Sequence, residues 1–480
     1  MLFNSVTFLI FLAMVLPLYY RLKHRGQNWM LLAASYVFYG WWDVRFLALL
    51  IGSSIFDYYC GIWIEREPRP TQRKWLLAGS IAVNMGVLCA FKYFNFFMES
   101  LQRLLATFGH QASFPTLHII LPLGISFYTF LSMSYTIDVY RGEMKATRNP
   151  IDYLLFVAFF PHLVAGPIVR ASYLLPQCER PRTIKSTEVI NGFWLILLGY
   201  FKKVVIGDRL AQVVDWGFSQ PLPPFSDANA WLIIYAFAFQ IYADFSGYSD
   251  IARGLAKLMG FELIENFRAP YLVTNPPAFW RNWHISLSTW LRDYLYIPLG
   301  GKRCSQPRIY CNLMITMILG GLWHGAGVAY ILWGFYQGTL LVAHRLWSQM
   351  FGKKRDSVTN SRKRFLPKIT HVLLVAIFFH LTCIGWLFFR AGASPANFNQ
   401  ISVVKNYLRA MMTAPQTVDA LAVGVLLLCG IGLLLQWRND LMMRFYNWPV
   451  KWQAASVVLA LLAIASLGVF EGAQFIYFQF

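Results

Sequence analysis

Charge is scarce in this 480-residue chain: Asp, Glu, Lys and Arg together supply 13% of it, while 57% is hydrophobic. A water-soluble core cannot absorb that much apolar surface, so the composition excludes a soluble globular protein and points to a bilayer as solvent. Acid is scarcer still, with 22 Asp and Glu against 42 Lys and Arg, a formal net charge of +20. The basic residues sit mostly in loops between apolar spans, so the excess reads as orientation by the positive-inside rule and not as a nucleic-acid footprint. The seven cysteines (60, 89, 178, 304, 311, 383 and 429) form no Cys-x-x-Cys pair, which argues against a zinc site or a disulfide framework. They read as small packing residues, and no metal is expected. Met1-Leu2-Phe3-Asn4 lacks both a basic leader and a cleavage signal, so the first apolar run reads as a retained helix. No repeat, low-complexity tract or soluble domain is evident.

What is abundant is apolar sequence in span-length runs, at roughly 5–20, 29–64, 75–95, 118–138, 150–168, 189–207, 229–250, 311–345, 369–389, 417–436 and 453–475. Some are long enough for two passes, which gives an all-α multipass membrane protein with about 11 or 12 transmembrane helices. With the N-terminus outside, Arg21 to Arg25 falls inside after one pass. Two passes across 29–64, turning near Asp43, bring Glu65 to Lys74 inside, and two more return Arg141 to Arg148 to the same side. Three basic loops on one face make the parity self-consistent. The 150–168 run is short, carries Pro161, Gly166 and Pro167, and precedes a further basic stretch from Arg170 to Lys185. A re-entrant segment there keeps both basic stretches cytoplasmic. The Lys353 to Arg364 loop marks the cytoplasmic side of the second half.

Polarity concentrates in the middle of the chain. Asp244, Ser246, Tyr248, Ser249, Asp250 and Arg253 interrupt or end an apolar span, and the polar stretch 261–310 that follows is rich in Trp, Tyr and Pro. It contains Trp283, His284 and Asp293 before a Pro298-Leu-Gly-Gly301 turn. A charge at membrane depth costs at least about 2.5–3.5 kcal/mol, so such groups are paired, water-lined or functional, unless they lie at the interface with the aromatic belt. The second concentration is Ile318-Leu-Gly-Gly-Leu-Trp323-His324-Gly325-Ala-Gly327, inside an otherwise uncharged run. Four glycines around one histidine allow a break or a close backbone approach. A histidine in an apolar span is ordinarily a packing residue; the glycines and the upstream His284 favour a site. A neutral imidazole can take the proton of an attacking alcohol, or attack a thioester itself, without placing a permanent charge in the membrane. Of the other histidines, His162 could line a cavity in the re-entrant segment. His24 lies in a basic loop, His110 and His118 border another, and His344, His371 and His380 read as helix-end or packing residues.

At these residues the chain resembles the membrane-bound O-acyltransferases, in their bacterial branch that includes alginate O-acetyltransferases and D-alanyl transferases of teichoic acid synthesis. The resemblance covers almost the whole chain. It rests on Gly124-Ile-Ser-Phe-Tyr-Thr-Phe130, Ser134-Tyr-Thr-Ile-Asp138-Val-Tyr140-Arg141-Gly142, Phe160-Pro-His-Leu-Val-Ala-Gly-Pro-Ile-Val-Arg170 and Gly199-Tyr-Phe-Lys-Lys203. Asp244-Phe-Ser-Gly-Tyr-Ser-Asp250, Phe279-Trp-Arg-Asn-Trp-His284-Ile-Ser-Leu-Ser288, Trp323-His324-Gly325 and the closing Phe475-Ile-Tyr-Phe-Gln-Phe480 complete it. The chain departs from the family pattern at Ala278 and Asn282, where an acidic residue and a second arginine are usual.

The resemblance implies a single membrane domain with short and re-entrant helices around a central funnel, its catalytic core at about 118–345 between N-terminal helices (1–117) and C-terminal helices (369–480). It further implies that His324 is the buried catalytic histidine and His284 the second motif histidine, with Trp323, Gly325, Asp244, Asp250, Trp283 and Asp293 around them. Asp244 or Asp250 would fix a histidine tautomer, and Lys202, Lys203, Lys302 and Arg303 would meet the phosphates of acetyl-CoA, the donor, with no bound cofactor. The expected setting is a bacterial inner membrane and its lipids, with a periplasmic partner bearing a Ser-His-Asp site of the SGNH-hydrolase kind and a complex synthesising a polysaccharide of the alginate or cellulose type. Two alternatives remain open within the fold, a D-alanyl donor or a peptidoglycan acceptor. A secondary transporter would share the broken helices and midplane polar groups.

Overall fold

A chain this apolar must satisfy its backbone within each segment, and helices do that. A computed structural model of the protein describes residues 1–110, 120–219, 228–351, 368–393, 399–412, 420–438, 442, 445–470 and 475–476. His118 and the last four residues of the closing motif lie outside these. Among the described residues the regular structure is all helical. Five helices are long and apolar enough to cross a membrane: Val44–Arg66, Pro70–Lys92, Ser186–Phe218, Ile369–Gly392 and Val450–Leu467. Val6–Arg21 and Ala422–Trp437 are shorter apolar helices. The chain is a multipass membrane protein.

The residues group into two units. One takes Met1–Tyr200, Gly247–Glu265 and Phe445–Leu462; the other takes Phe201–Ser246, Asn266–Arg444 and Ala463–Phe480.

In the first unit, the apolar stretch 29–64 divides where expected. His24–Gly40 ends one residue before Trp41, and Asp43 caps Val44–Arg66 by accepting from the Arg45 N–H. Three of its helices are joined by buried polar groups. Asp57, in the middle of Val44–Arg66, accepts from Ser80 Oγ at 2.7 Å and from Asn84 Nδ2 at 2.8 Å, both on Pro70–Lys92. Ser80 Oγ is also 3.2 Å from Thr136 Oγ1 on Ile125–Arg141. Polar side chains at membrane depth find partners across helices because the lipid offers none. The 150–168 run is broken as its prolines predict, into Pro150–Ala158 and the single turn Phe160–Leu163. The N–H of Phe160, freed at the break, donates to Ser35 Oγ at 3.0 Å.

In the second unit, the apolar run 311–345 is two helices, Gln306–His324 and Val328–Phe351, folded back on each other around Gly325 to Gly327. They approach so closely that a Cβ on Gly334 would stand 2.4 Å from the Met317 carbonyl oxygen, and one on Gly321 would stand 2.2 Å from that of Tyr330. Only glycine fits such a crossing. The polar stretch before them folds as short pieces, Pro276–Asn282, Ile285–Leu291 and the π-helical turn Arg292–Tyr296. Asn275 caps the first of these, accepting from the Ala278 N–H at 2.9 Å.

Candidate active site

His324 is the last residue of its helix, and Gly325 leaves it in extended backbone. The ring is buried in an aromatic box. Trp323 lies 4.9 Å away, Phe389 5.0 Å and Trp333 5.1 Å between ring centres, all at steep angles. Edge-to-face packing of this kind adds about 0.5–1.5 kcal/mol per pair beyond simple burial and fixes ring orientation. Gly325 is required by its neighbour, since a Cβ there would fall 2.2 Å from the Tyr330 ring.

His284 belongs to the same unit and is also buried. Its ring stands edge-on to Phe245 at 4.6 Å and lies 6.2 Å from Trp323. Trp323 is therefore shared between the two histidines. Its indole touches His324 as a chain neighbour and His284 across a tertiary contact.

The backbone at His284 is left-handed, with φ 42° and ψ 55°. A side-chain-bearing residue adopts that conformation at a cost, and such residues persist where the surroundings over-determine them. The surroundings here are Asn266. Its carbonyl accepts from the Ile285 N–H at 3.0 Å and its Oδ1 from the Ser286 N–H at 3.2 Å. Two residues on, the Arg268 N–H donates to the Asn282 carbonyl at 3.0 Å. The turn carrying His284 is thus held from both sides by 266–268. Trp283 anchors it below, stacked on Phe279 and packed against Trp386, Phe267 and Tyr271. The His284 ring places Nδ1 3.4 Å from Ser286 Oγ.

Two buried histidines sharing one indole, one at a helix end and one in a strained turn, fit proton transfer or nucleophilic attack in a site screened from water. A sequence model described as the membrane-bound O-acyltransferase family matches residues 81–388. The chain belongs to the membrane-bound O-acyltransferase family.

Its similarity to curated relatives covers from about three fifths of the chain to nearly all of it. It is 42% identical over 465 residues to the probable alginate O-acetylase AlgI of Pseudomonas aeruginosa, covering 95% of this chain and 84% of that one. It is 36% identical over 425 residues to the peptidoglycan O-acetyltransferase of Helicobacter pylori, with 82% and 77% covered. To the teichoic acid D-alanyltransferase of Bacillus subtilis it is 27% identical over 293 residues, with 58% and 71% covered. As a membrane-bound O-acyltransferase the chain is an enzyme of acyl transfer.

The remaining site residues fall in different places. Asp244 is engaged by a lysine and a backbone N–H. One carboxylate oxygen pairs with Lys203 Nζ at 2.5 Å and the other accepts from the Ile476 N–H at 2.7 Å. Asp250 belongs to the first unit, where it lies 3.5 Å from Arg253. Asp293 pairs with its neighbour Arg292 at 2.6 Å. Lys302 and Arg303 are exposed, in the turn after Gly300 and Gly301. Lys202 and Lys203 are buried, and Lys203 is held between Asp208 and Asp244, so it is not a surface cation free to meet a phosphate. His162 is buried in the first unit with Nε2 3.0 Å from the Phe156 carbonyl, a packing role.

Sequence reasoning missed Asn266, Phe245, Trp333 and Phe389. Phe245 was within a quoted motif. Asn266 carried a weak signal, as the one short polar side chain in Glu265-Asn266-Phe267 ahead of Pro270.

Proposed function

We propose that the chain transfers an acetyl group from cytoplasmic acetyl-CoA, through a passage in the inner membrane, to the O-acetylation of an extracellular polysaccharide of the alginate class. The observation that carries this reading is the pair of buried histidines on Trp323, at the positions where the family resemblance expects catalytic residues. The relatives favour acetyl over D-alanyl transfer. The relatives named for O-acetylation are 42% and 36% identical to this chain, and the one named for D-alanylation 27%.

In this reading His324 acts with its ring neutral. As general base it takes the proton of an acceptor hydroxyl, whose oxygen attacks the thioester carbonyl. The C–S bond breaks, and the proton passes to the departing thiolate. As nucleophile the ring attacks the carbonyl itself and the C–S bond breaks, releasing CoA as thiolate; the acetyl-imidazolium then passes the acetyl group to the hydroxyl, whose proton ends on the thiolate, and the neutral ring is restored. Either role needs the unprotonated nitrogen. His284 assists, its placement set by the Asn266 clamp. Lys302 and Arg303, being exposed, are the donor-phosphate contacts of this proposal; Lys203 is not. A periplasmic partner with a Ser-His-Asp site receives the acetyl group and delivers it to the polymer. A second acceptor, peptidoglycan, is favoured by the Helicobacter pylori relative.

The test uses the full chain in sealed vesicles, with acetyl-CoA labelled in the acetyl group on the donor side and a soluble hydroxyl acceptor inside. The reading predicts covalently labelled acceptor inside and free CoA outside. Labelled acetate or intact acetyl-CoA accumulating inside without a labelled acceptor would identify a transporter and overturn it.

A further inference from the structure

The motif Asp244-Phe-Ser-Gly-Tyr-Ser-Asp250 and the closing segment of the chain are left without a job by the histidine chemistry, yet they meet. In the second unit, the π-helical turn Phe201–Gly207 buries Lys203 against two carboxylates, Asp208 Oδ1 at 2.8 Å and Asp244 Oδ1 at 2.5 Å. One cation between two buried anions leaves Asp244 an oxygen to spend, and Oδ2 accepts the backbone N–H of Ile476 at 2.7 Å. Phe475 and Ile476 are both buried. The Phe475 ring lies 5.8 Å from Phe245, and Phe245 is the ring edge-on to His284 at 4.6 Å. The approach of the closing segment is pinned as well. The Val469 N–H donates to the Val204 carbonyl at 3.0 Å, and Arg209 Nε donates to the Leu467 carbonyl.

A buried triad of charges is costly to assemble and adds little net stability over an apolar replacement, whereas its geometry can fix a register. We propose that the Lys203–Asp208–Asp244 triad is a clasp for the segment at Phe475 and Ile476, and that Asp244 is a positioning residue. Its spare oxygen holds Ile476, which sets Phe475 against Phe245 and so sets the wall on which His284 packs. Asp244 touches no reacting atom; it acts through the closing segment. The proposal rests on His284 belonging to the acyl-transfer site.

The clasp depends on one N–H, so proline and alanine at one position separate it from side-chain packing: proline has no N–H to give. In the full-length protein, Ile476→Pro is expected to lower kcat for acetyl transfer roughly tenfold to hundredfold per folded molecule, with the donor KM unchanged. Ile476→Ala keeps the N–H and should turn over near the wild-type rate. Asp244→Ala, which removes the Lys203 ion pair as well, should lower kcat at least as far as Ile476→Pro, and adding Ile476→Pro to it should cost nothing more, because the contact they share is already gone. A readout independent of acetyl transfer is hydrogen exchange in the peptide spanning Phe475 and Ile476. It should be slow in the wild type and in His324→Ala, and faster by about tenfold or more in Asp244→Ala. Were Asp244→Ala not to fold, Ile476→Pro, which leaves the triad intact, still decides the matter. Equal kcat for Ile476→Pro and Ile476→Ala, or equal exchange with and without the Asp244 carboxylate, would overturn the clasp. Activity surviving in His324→Ala would overturn the histidine reading and leave the exchange result standing.

Discussion

At the scale of single residues, the site combines a chemically useful side chain with a backbone that resists it. His284 sits at φ 42°, where glycine is at ease and a Cβ costs about 1 kcal/mol. His284→Gly should therefore be more thermostable than His284→Ala by about that amount, while neither transfers acetyl groups at the normal rate; melting of the detergent-solubilised protein and an acetylation assay check both halves. Equal melting temperatures would mean that the turn does not hold the strain described. Gly325→Ala forces a methyl into the Tyr330 ring 2.2 Å away, an overpacking expected to cost about 1–3 kcal/mol and to disturb His324 beside it. The same melting and acetylation assays check it, and normal activity with normal stability would contradict that packing. Trp323, His324 and Gly325 were legible in sequence because a histidine among glycines stands out in an apolar run. Asn266 was not, because its value lies in two hydrogen bonds to a turn some twenty residues later, which no local pattern announces. The partners of Asp244 were illegible for a related reason. Sequence shows a carboxylate in a polar motif, not that a lysine and a backbone N–H engage its oxygens.

At the scale of helices, breaks were easier to read than partners. The turn at Asp43 and the interruption of 150–168 follow from a capping residue and from prolines, both local signals. In 311–345 the glycines around His324 announced a kink, and the chain turns there into a second helix. The polar links between Val44–Arg66, Pro70–Lys92 and Ile125–Arg141 could not be read this way. Asp57, Ser80 and Thr136 sit in three separate apolar stretches, and only the fold brings them within hydrogen-bond distance. Replacing Asp57 with leucine would take from Ser80 and Asn84 the carboxylate to which both donate, at about 1–3 kcal/mol in all. Asp57→Asn, which keeps an acceptor oxygen, should lose much less. Thermal melting of the two variants compares them, and a leucine variant as stable as the asparagine one would show that the network contributes little.

At the scale of the whole molecule, membrane residence was the most legible property, because it needs only composition. Gln306–His324 and Val328–Phe351, which carry His324 and Trp333, are not among the five described helices that pass as spans on length and apolarity, although Ile369–Gly392, which carries Phe389, is. Glycine and polar residues dilute them, which is what a site inside a membrane requires. Site and span signals therefore oppose each other in sequence, and family motifs had to bridge them. Both histidines, the clasp and Phe475 and Ile476 belong to one unit of the chain, the region to which acyl transfer is assigned under the proposed function. The most direct measurement is the acetyl content of the extracellular polymer, in cells whose chromosomal copy is replaced by His324→Ala, with the amount of membrane-inserted folded protein matched to wild type. The account predicts polymer without O-acetyl groups and an unchanged level of inserted protein. Polymer acetylated to the wild-type degree by the His324→Ala protein would contradict it.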